Sequence, residues 1–449
     1  LLDLSTQIEK ISPGNAPLIL STSVIHRYVI GILSPAENGY MSSWQRHKQG
    51  GNRREVVLVA LEDRFSLARI PSLLHHAGCR VTVLGDPYAP VCASRFVQRV
   101  IPCPIDPASA AKTLSNLILQ YGPVLPWVVF GDEPALQAGI LCRQEKWLPQ
   151  VFPVDPFKCA DMIFRKAAFM EAAVAAGIPV PPMRVCRSAA DAKMAADQLQ
   201  FPLFFKRDVD CAGAGVMLVS DNSDVLPVYQ KLSNTGPVVI QQMVHGAVGK
   251  TNTLYSRGRL MCHTSAYATR TWPGRFGPSC IRQYFCDPRL EKIAADIGAL
   301  TGFNGLCGFD WIQDRQTGQF TVIEFNGRTI ATYHLGKHVH VSYEHAVADF
   351  VQGRYTVQRP SLRSGDKPVI HMFPQDVRRC ISEKDLLGLA KWFSGVLTTD
   401  IPWGDANLIL FFLMEFARLG RKRIRRFFRR RFSPPPAGEV ASSKLQVAS

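Results

Sequence analysis

The stretch from Gly305 to Arg328 constrains the fold more than any other. Two apolar segments flank the polar turn Asp314 to Gly318, with Asp310 on the first segment and Glu324-Phe325-Asn326-Gly327-Arg328 closing the second. Apolar runs separated by a short turn of this kind predict an antiparallel hairpin. Side chains alternate along a strand, so Asp310 is expected to share a face with Ile312, and Glu324 one with Val322 and Asn326. Folding about the turn sets Asp310 level with Glu324, and two carboxylates and an amide oxygen converge. Such donors suit a hard cation such as Mg²⁺, which takes one or two carboxylates and fills its shell with water and substrate phosphates. Standing alone, the pattern is better explained by a half-exposed hairpin with polar residues outward. It does not stand alone.

The chain has 449 residues, 47% hydrophobic and 10% aromatic, enough for two or three domains with cores of their own. Its net charge of +16 is uneven, because Arg418 to Arg431 holds nine Lys and Arg and no acid. Twelve cysteines occur without a Cys-x-x-Cys pair. That argues against structural zinc and a disulfide-stapled scaffold, and suits reduced thiols in the cytoplasm. No apolar run reaches the ~18 residues that span a bilayer. Val24 to Leu33 is interrupted by His26 and Arg27, unlike a secretory signal. Residues 1–40, ahead of Met41, are read as a loosely ordered extension or an upstream stretch of reading frame, and the poorly ordered extension as a whole is set at 1–53.

Val56 to Ala60 predicts a strand, Leu67 to Ala77 a helix stopped by Gly78, and Val81 to Leu84 a second strand, which make a β-α-β unit of a parallel sheet. Trp127 to Phe130 adds a strand, and Gly131-Asp132-Glu133 with Pro134 opens a helix at the carboxyl edge, where open α/β sheets bind ligands. Glu62-Asp63-Arg64-Phe65-Ser66 follows the first strand in place of a Gly-x-Gly-x-x-Gly, which disfavours a dinucleotide site. This first domain spans 54–155. A second, α+β domain over 156–355 begins with a helix at Phe164 to Ala176. It continues through strand Leu203 to Lys206, the small-residue loop before Val216 to Ser220, strand Val238 to Gln242 and a hairpin turning at Ser256-Arg257-Gly258. Segment 356–417 shows one helix around Glu383 to Ser394, and 418–449 is a basic amphipathic tail.

Phosphate chemistry needs cations and backbone N–H groups aimed at the phosphates, and metal ions that bridge them. Lys166 at a helix start, Lys206 at a strand end and the loop Cys211-Ala212-Gly213-Ala214-Gly215 can supply these. Singly, each is better read as an ordinary helix, strand end or turn. In order they run as follows: a lysine ahead of Gly177-Ile178-Pro179-Val180-Pro181, Phe201-Pro202 and Lys206 before a Gly-rich loop, Gln241-Gln242-Met243-Val244, then Asp310 and Glu324-x-Asn326-x-Arg328. This order resembles the ATP-grasp superfamily over residues 56 to 350. It is most similar to the carboxylate-amine ligases, in the branch of D-aspartate ligase and carbamoyl phosphate synthetase large-chain-like proteins. Asp400-Ile401-Pro402-Trp403-Gly404-Asp405 is similar to a C-terminal motif of that branch.

The resemblance implies a parallel-sheet pre-ATP-grasp domain followed by an ATP-grasp domain, with ATP and Mg²⁺ as cofactors and Mn²⁺ as a substitute. It implies that Lys166 and Lys206 meet the ATP phosphates and that Gly213 and Gly215 close over them. Gln241, Gln242, Met243 and Val244 would read the adenine edge, and Asp310, Glu324 and Asn326 would hold the metal. Arg328 would stabilise the transferring phosphoryl group. Unlike the usual pattern, the hinge carries no Glu, and no Asp or Glu occurs from Val225 through Cys286.

Within that acid-free stretch, Arg270, Arg275 and Arg282 are candidates for gripping a substrate carboxylate, Arg270 first. Glu62, Asp63, Asp132 and Glu133 are placed to receive an amine. His334, His338, His340 and His345 fit ordinary positions better than a metal site. In the tail, Ile424, Phe427, Phe428 and Phe432 recur at helical spacing among cations, so Arg418 to Phe432 suits an anionic membrane surface, with nucleic acid the weaker alternative. The expectation is a cytoplasmic ATP-dependent ligase, peripheral to the membrane through its tail, that joins a small carboxylate to an amine. The competing reading is a nucleotide-binding adaptor without turnover.

Overall fold

The computed structural model describes residues 53–63, 65–209, 215–274 and 277–418. The extension expected over 1–53 and the tail over 418–449 lie outside the described residues, apart from Arg53 and Arg418, as do Gly213 and Arg275.

Runs rich in Val and Leu form the first sheet: β1 (Arg54–Ala60), β2 (Cys79–Gly85), β3 (Val97–Pro102) and β4 (Trp127–Phe130). All its pairings are parallel, in the order β3-β2-β1-β4. Val56 to Ala60 are fully buried, as a strand covered on both faces requires. Strand order reverses between β1 and β4, so the crevice beyond their carboxyl ends is where the fold opens to a ligand. Asp132 closes the back of that crevice. Fully buried, it accepts hydrogen bonds from the N–H groups of Leu61 (2.7 Å), Glu62 (2.9 Å) and Ala135 (2.9 Å), tying the end of β1 to the helix Glu133–Leu141 that it caps.

A second sheet contains β5 (Met183–Cys186), β6 (Leu203–Arg207), β7 (Val216–Val219) and β8 (Val238–Gln242), antiparallel in the order β5-β8-β6-β7. The helices Ala189–Gln198 and Val225–Leu232 bury one face of it against Leu203, Phe205, Val238 and Ile240. Alternation then puts Phe204, Lys206 and Gln241 on the other face.

The largest sheet comprises β9 (Gly246–Ser256), β10 (Arg259–Thr271), β11 (Ser279–Phe285), β12 (Gly305–Asp314), β13 (Phe320–Asn326) and β14 (Val369–His371), in the order β13-β12-β9-β10-β11-β14. Arg257 (φ 49°) and Gly258 (φ 80°) turn β9 into β10, with positive φ at both central positions as in a type I′ hairpin. The helices Lys166–Ala175 and Pro288–Thr301 pack on Phe309, Trp311, Phe320 and Val322.

Segment 356–417 is built into the molecule. Its β14 extends the large sheet along β11, and the Asp400 to Asp405 motif clasps the first domain. Arg69 donates to the Asp400 carbonyl (2.8 Å), while the Asp405 carboxylate accepts from Ser94 Oγ (2.5 Å) and from the Arg95 N–H (3.1 Å). A helix that the sequence does not announce, Gln375–Glu383, precedes the one expected around Glu383 to Ser394, which forms as Leu386–Phe393. Lys384 in the left-handed region (φ 58°) ends the first, and Asp385 caps the second through the Gly388 N–H. No helix among the described residues is long and apolar enough to cross a membrane.

Candidate functional site

The β12–β13 ladder pairs Asp310 directly with Glu324. The register slips just beyond, from Asp310↔Glu324 to Trp311↔Val322, so Ile323 is an extra residue, a β-bulge. The bulge changes the expected facing. Val322 packs in the core with Phe309 and Trp311, and so does Phe325, so Glu324 turns away from the face that Val322 occupies. Simple alternation misses this because it cannot register an inserted residue. The bulged Ile323 carbonyl accepts from Lys206 Nζ at 3.1 Å, which fastens the second sheet to the third at this point.

Four cations gather around the paired acids. Lys166 Nζ lies 3.4 Å from Glu324, and Lys250 Nζ lies 2.6 Å from Asp310. Asn326 donates its amide to Asp310 (3.2 Å), which leaves its oxygen for other partners. Arg328 pairs with Glu133 at 2.7 Å, joining the hairpin to the crevice of the first sheet, where Thr329 N–H also bonds the Phe130 carbonyl (3.1 Å). Gly327 makes this approach possible, since a Cβ there would lie 2.5 Å from Ile163 Cβ and 2.7 Å from its carbonyl oxygen. Lys166, Glu324, Asn326 and Arg328 line one cleft, with Glu133 and Ile163 in its wall.

The surroundings set the protonation states. Burial, reinforced by the neighbouring Lys166, pushes the Lys206 ammonium down to about 8, although Glu324 and Asp310 pull the other way. For Glu324, burial favours the neutral acid, but Lys166, Lys206, Lys250 and Arg328 outweigh it and hold the carboxyl below its ordinary value. Burial disfavours the charge on Arg328, and Glu133 more than restores it. A carboxylate held ionised among four cations, 36% exposed at the cleft, can exchange those cations for a metal ion and an anion.

Two residues of this arrangement, Lys250 and Asp208, escape sequence inspection. Lys250 stands beside Asp310 only because β9 pairs with β12, opposite it in register. Asp208, fully buried, accepts from the Ala167 N–H (2.9 Å) and pairs with Arg165 (2.8 Å), so it caps the helix that Lys166 opens and ties that helix to the exit of β6, beside Lys206. Glu133 is among the acids placed at the crevice from sequence, but its pairing with Arg328 is visible only in three dimensions. The one available signal for Asp208 is an acid two residues past a strand-end lysine.

Other expected residues sit apart from the cluster or at its margin. Arg270 is exposed, pairs with Glu383 at 2.6 Å and is not among the residues that line the cleft. Arg282 donates to Thr332 Oγ1 (3.0 Å), which also accepts from Asn252 (2.9 Å). Gly215 opens the turn into β7, its carbonyl accepting from the Arg207 N–H at 2.9 Å. In the hinge, the N–H groups of Gln242 and Met243 bond the carbonyls of Pro182 (2.9 Å) and Pro202 (3.0 Å), and Val244 follows. Gln241 is buried on the same face as Lys206, and its side-chain nitrogen has no partner among the described residues. No group of three or more His, Cys, Asp or Glu able to hold a metal occurs among the described residues. A cation here would rest on two carboxylates, an amide and its ligand's own oxygens, a donor set that fits Mg²⁺ bound with phosphates.

No family model and no curated protein sequence matches the chain. Solved structures do. N5-carboxyaminoimidazole synthetase from Staphylococcus aureus, solved with ADP, is 16% identical with a TM-score of 0.57, covering 74% of this chain and 86% of that one. The chain has the ATP-grasp fold. The biotin carboxylase domain of Hydrogenobacter thermophilus 2-oxoglutarate carboxylase, solved with magnesium ADP, ADP and bicarbonate, shares that fold at 14% identity and a TM-score of 0.56, over 71% of this chain and 74% of that one. L-amino acid ligase from Bacillus licheniformis is 16% identical with a TM-score of 0.51, over 67% of this chain and 75% of that one. The acid-cation cluster lies where the three sheets meet.

Proposed function

We propose that this ATP-grasp chain is an ATP-dependent carboxylate-amine ligase. The observation that carries the reading is the Asp310–Glu324 pair with Asn326 beside it, ringed by Lys166, Lys206, Lys250 and Arg328 at the meeting of the three sheets. The likeness to structures solved with adenine nucleotides supports ATP as the nucleotide.

Asp310, Glu324 and Asn326 would hold Mg²⁺, whose contribution is to neutralise and orient the phosphates. Lys166 and Lys206 would bind phosphate oxygens, exchanging carboxylate partners for the nucleotide. Gln241 to Val244 would border the adenine, with the Gln241 amide offering a hydrogen bond where the usual hinge offers a carboxylate. A substrate carboxylate oxygen attacks the γ-phosphorus, the bond to the β-γ bridging oxygen breaks, and ADP leaves with that electron pair. Arg328, fixed by Glu133, faces the charge developing on the transferred group. An amine then attacks the acyl carbon of the resulting acyl phosphate. Inorganic phosphate departs, the nitrogen loses a proton and an amide remains. The residues position and neutralise, and no side-chain nucleophile is required.

Trapping tests the intermediate. With Mg²⁺-ATP, a mixture of small carboxylates and hydroxylamine, the protein is expected to yield a hydroxamate, and Glu324→Gln none. Substrate-dependent ADP release without any hydroxamate would contradict the acyl phosphate. Bound ATP with no ADP release under any mixture would favour the adaptor reading.

A further inference from the structure

The first half of β10 has an edge that β11 leaves bare. β11 pairs with β10 only from Ser265 onward, and the edge before it is met by segment 355–359, which bridges to Cys262 through Gln358. The Gln358 N–H donates to the Met261 carbonyl (2.8 Å) and the Tyr355 hydroxyl to the Leu260 carbonyl (3.0 Å). The Gln358 side chain is fixed in turn on the N–H (2.9 Å) and carbonyl (3.2 Å) of Ser342. Between this segment, β10 and the helix Pro288–Thr301 lies a cavity of about 310 Å³, which shares no lining residue with the cleft at Glu324. Its volume is that of a small-molecule site.

The lining gives the cavity a definite chemistry. His263 lines it from β10, only 3% exposed, and makes no hydrogen bond among the described residues. Buried polar groups are ordinarily partnered, so this ring takes its partner from what fills the cavity. Burial pushes the imidazole down to about 4, Glu291 opposing and Arg359 assisting. At neutral pH it therefore presents one donor and one acceptor. Arg259, exposed on the rim, has no acid beside it among the described residues, and its guanidinium sits 3.7 Å from the centroid of the Tyr355 ring. Stacking occupies the face of the guanidinium and leaves its edge N–H groups for a bidentate partner. Arg359 meets Glu291 through Nε alone (2.6 Å), which keeps its terminal N–H groups available. Two guanidiniums against one carboxylate leave a single positive charge to be matched.

We propose that this cavity is a second ligand site, for a small hydroxy acid whose one carboxylate is bound by Arg259 and Arg359 and whose hydroxyl meets His263. One carboxylate balances the charge, where a phosphate dianion would exceed it. An amino group finds no free partner, because Glu291, the one acid in the lining, is already held by Arg359. The inference is independent of the ligase reading, since none of these residues lines the cleft at Glu324.

Saturation-transfer NMR on the full chain tests it, with sodium L-lactate as the probe and nucleotide omitted. Lactate is expected to bind saturably in the millimolar range, and sodium acetate, which lacks the hydroxyl, several-fold more weakly. Arg259→Gln should weaken lactate binding at least about tenfold, and Arg359→Gln likewise. Both side chains are exposed, so the melting temperature should not change. Glu324→Gln should leave lactate binding unaltered. Loss of lactate binding in Glu324→Gln but not in Arg259→Gln would place the acid in the cleft and overturn the proposal. Binding undiminished by both arginine variants would overturn it as well, as would inorganic phosphate binding as tightly as lactate at equal ionic strength, or the absence of any saturable lactate signal.

Discussion

Lys206 and Lys250 show how much of the site's behaviour is set by single charges. With its ammonium pushed down to about 8, Lys206 begins to lose its proton just above neutrality in the ligand-free protein, and a bound polyphosphate would restore it. ATP affinity should therefore be flat below about pH 8 and fall by up to tenfold per pH unit above it. Lys206→Arg should flatten the profile, and titration calorimetry at pH 7 to 9.5 reads both. The sign for folding is separate. Because the folded value lies below the ordinary 10.5, keeping Lys206 charged opposes folding in full below about pH 8, and that penalty fades as pH rises toward 10.5. Lys250 competes with a cation for Asp310, so Lys250→Met should tighten Mn²⁺ binding to the ligand-free protein, seen by electron paramagnetic resonance, while weakening ATP. Unchanged Mn²⁺ affinity would show that Lys250 does not guard Asp310. The sequence shows both acids of the pair, because the hairpin length alone brings Asp310 level with Glu324. It hides Lys250, whose place follows from strand pairing across sixty residues, and it does not show the pairing of Arg270 with Glu383.

At the scale of elements, the end of β13 does more than carry ligands. The bulge at Ile323 turns Glu324 out of the core, and the close contact at Gly327 brings Arg328 to Glu133. A methyl group at position 327 would force the strand end away from the helix Ala160–Phe164, because the nearest atoms include backbone. Gly327→Ala is expected to cost about 1–3 kcal/mol of stability and to lower turnover more than ATP affinity, since Arg328 moves while Lys166 and Lys206 stay. Thermal unfolding and steady-state kinetics on the same preparation check this, and full activity with unchanged melting would contradict it. The parallel sheet and the long β9–β10 hairpin were readable from Val-rich runs and the Arg257-Gly258 turn. The bulge and the capping of one element by another's Asp208 were not, since both depend on partners distant in the chain.

For the whole molecule, the C-terminal segment is structural up to its last described helix. A chain ending at 418 should melt within a few degrees of the full protein. One ending at 366 loses β14, the Arg69–Asp400 and Ser94–Asp405 clasps and the cover over Ala68, and should be insoluble or unfolded. Differential scanning calorimetry separates the two, and a stable, active chain of 366 residues would show that the clasp is dispensable. The central claim, that a fold assembled from three sheets brings acids and cations together for carboxylate activation, is tested most directly by ADP release. Protein with Mg²⁺-ATP should release ADP only when a particular carboxylate and amine are both supplied from pools of amino acids and small acids, and Glu324→Ala should abolish that release. ADP release at an equal rate from the Glu324→Ala protein would contradict the account.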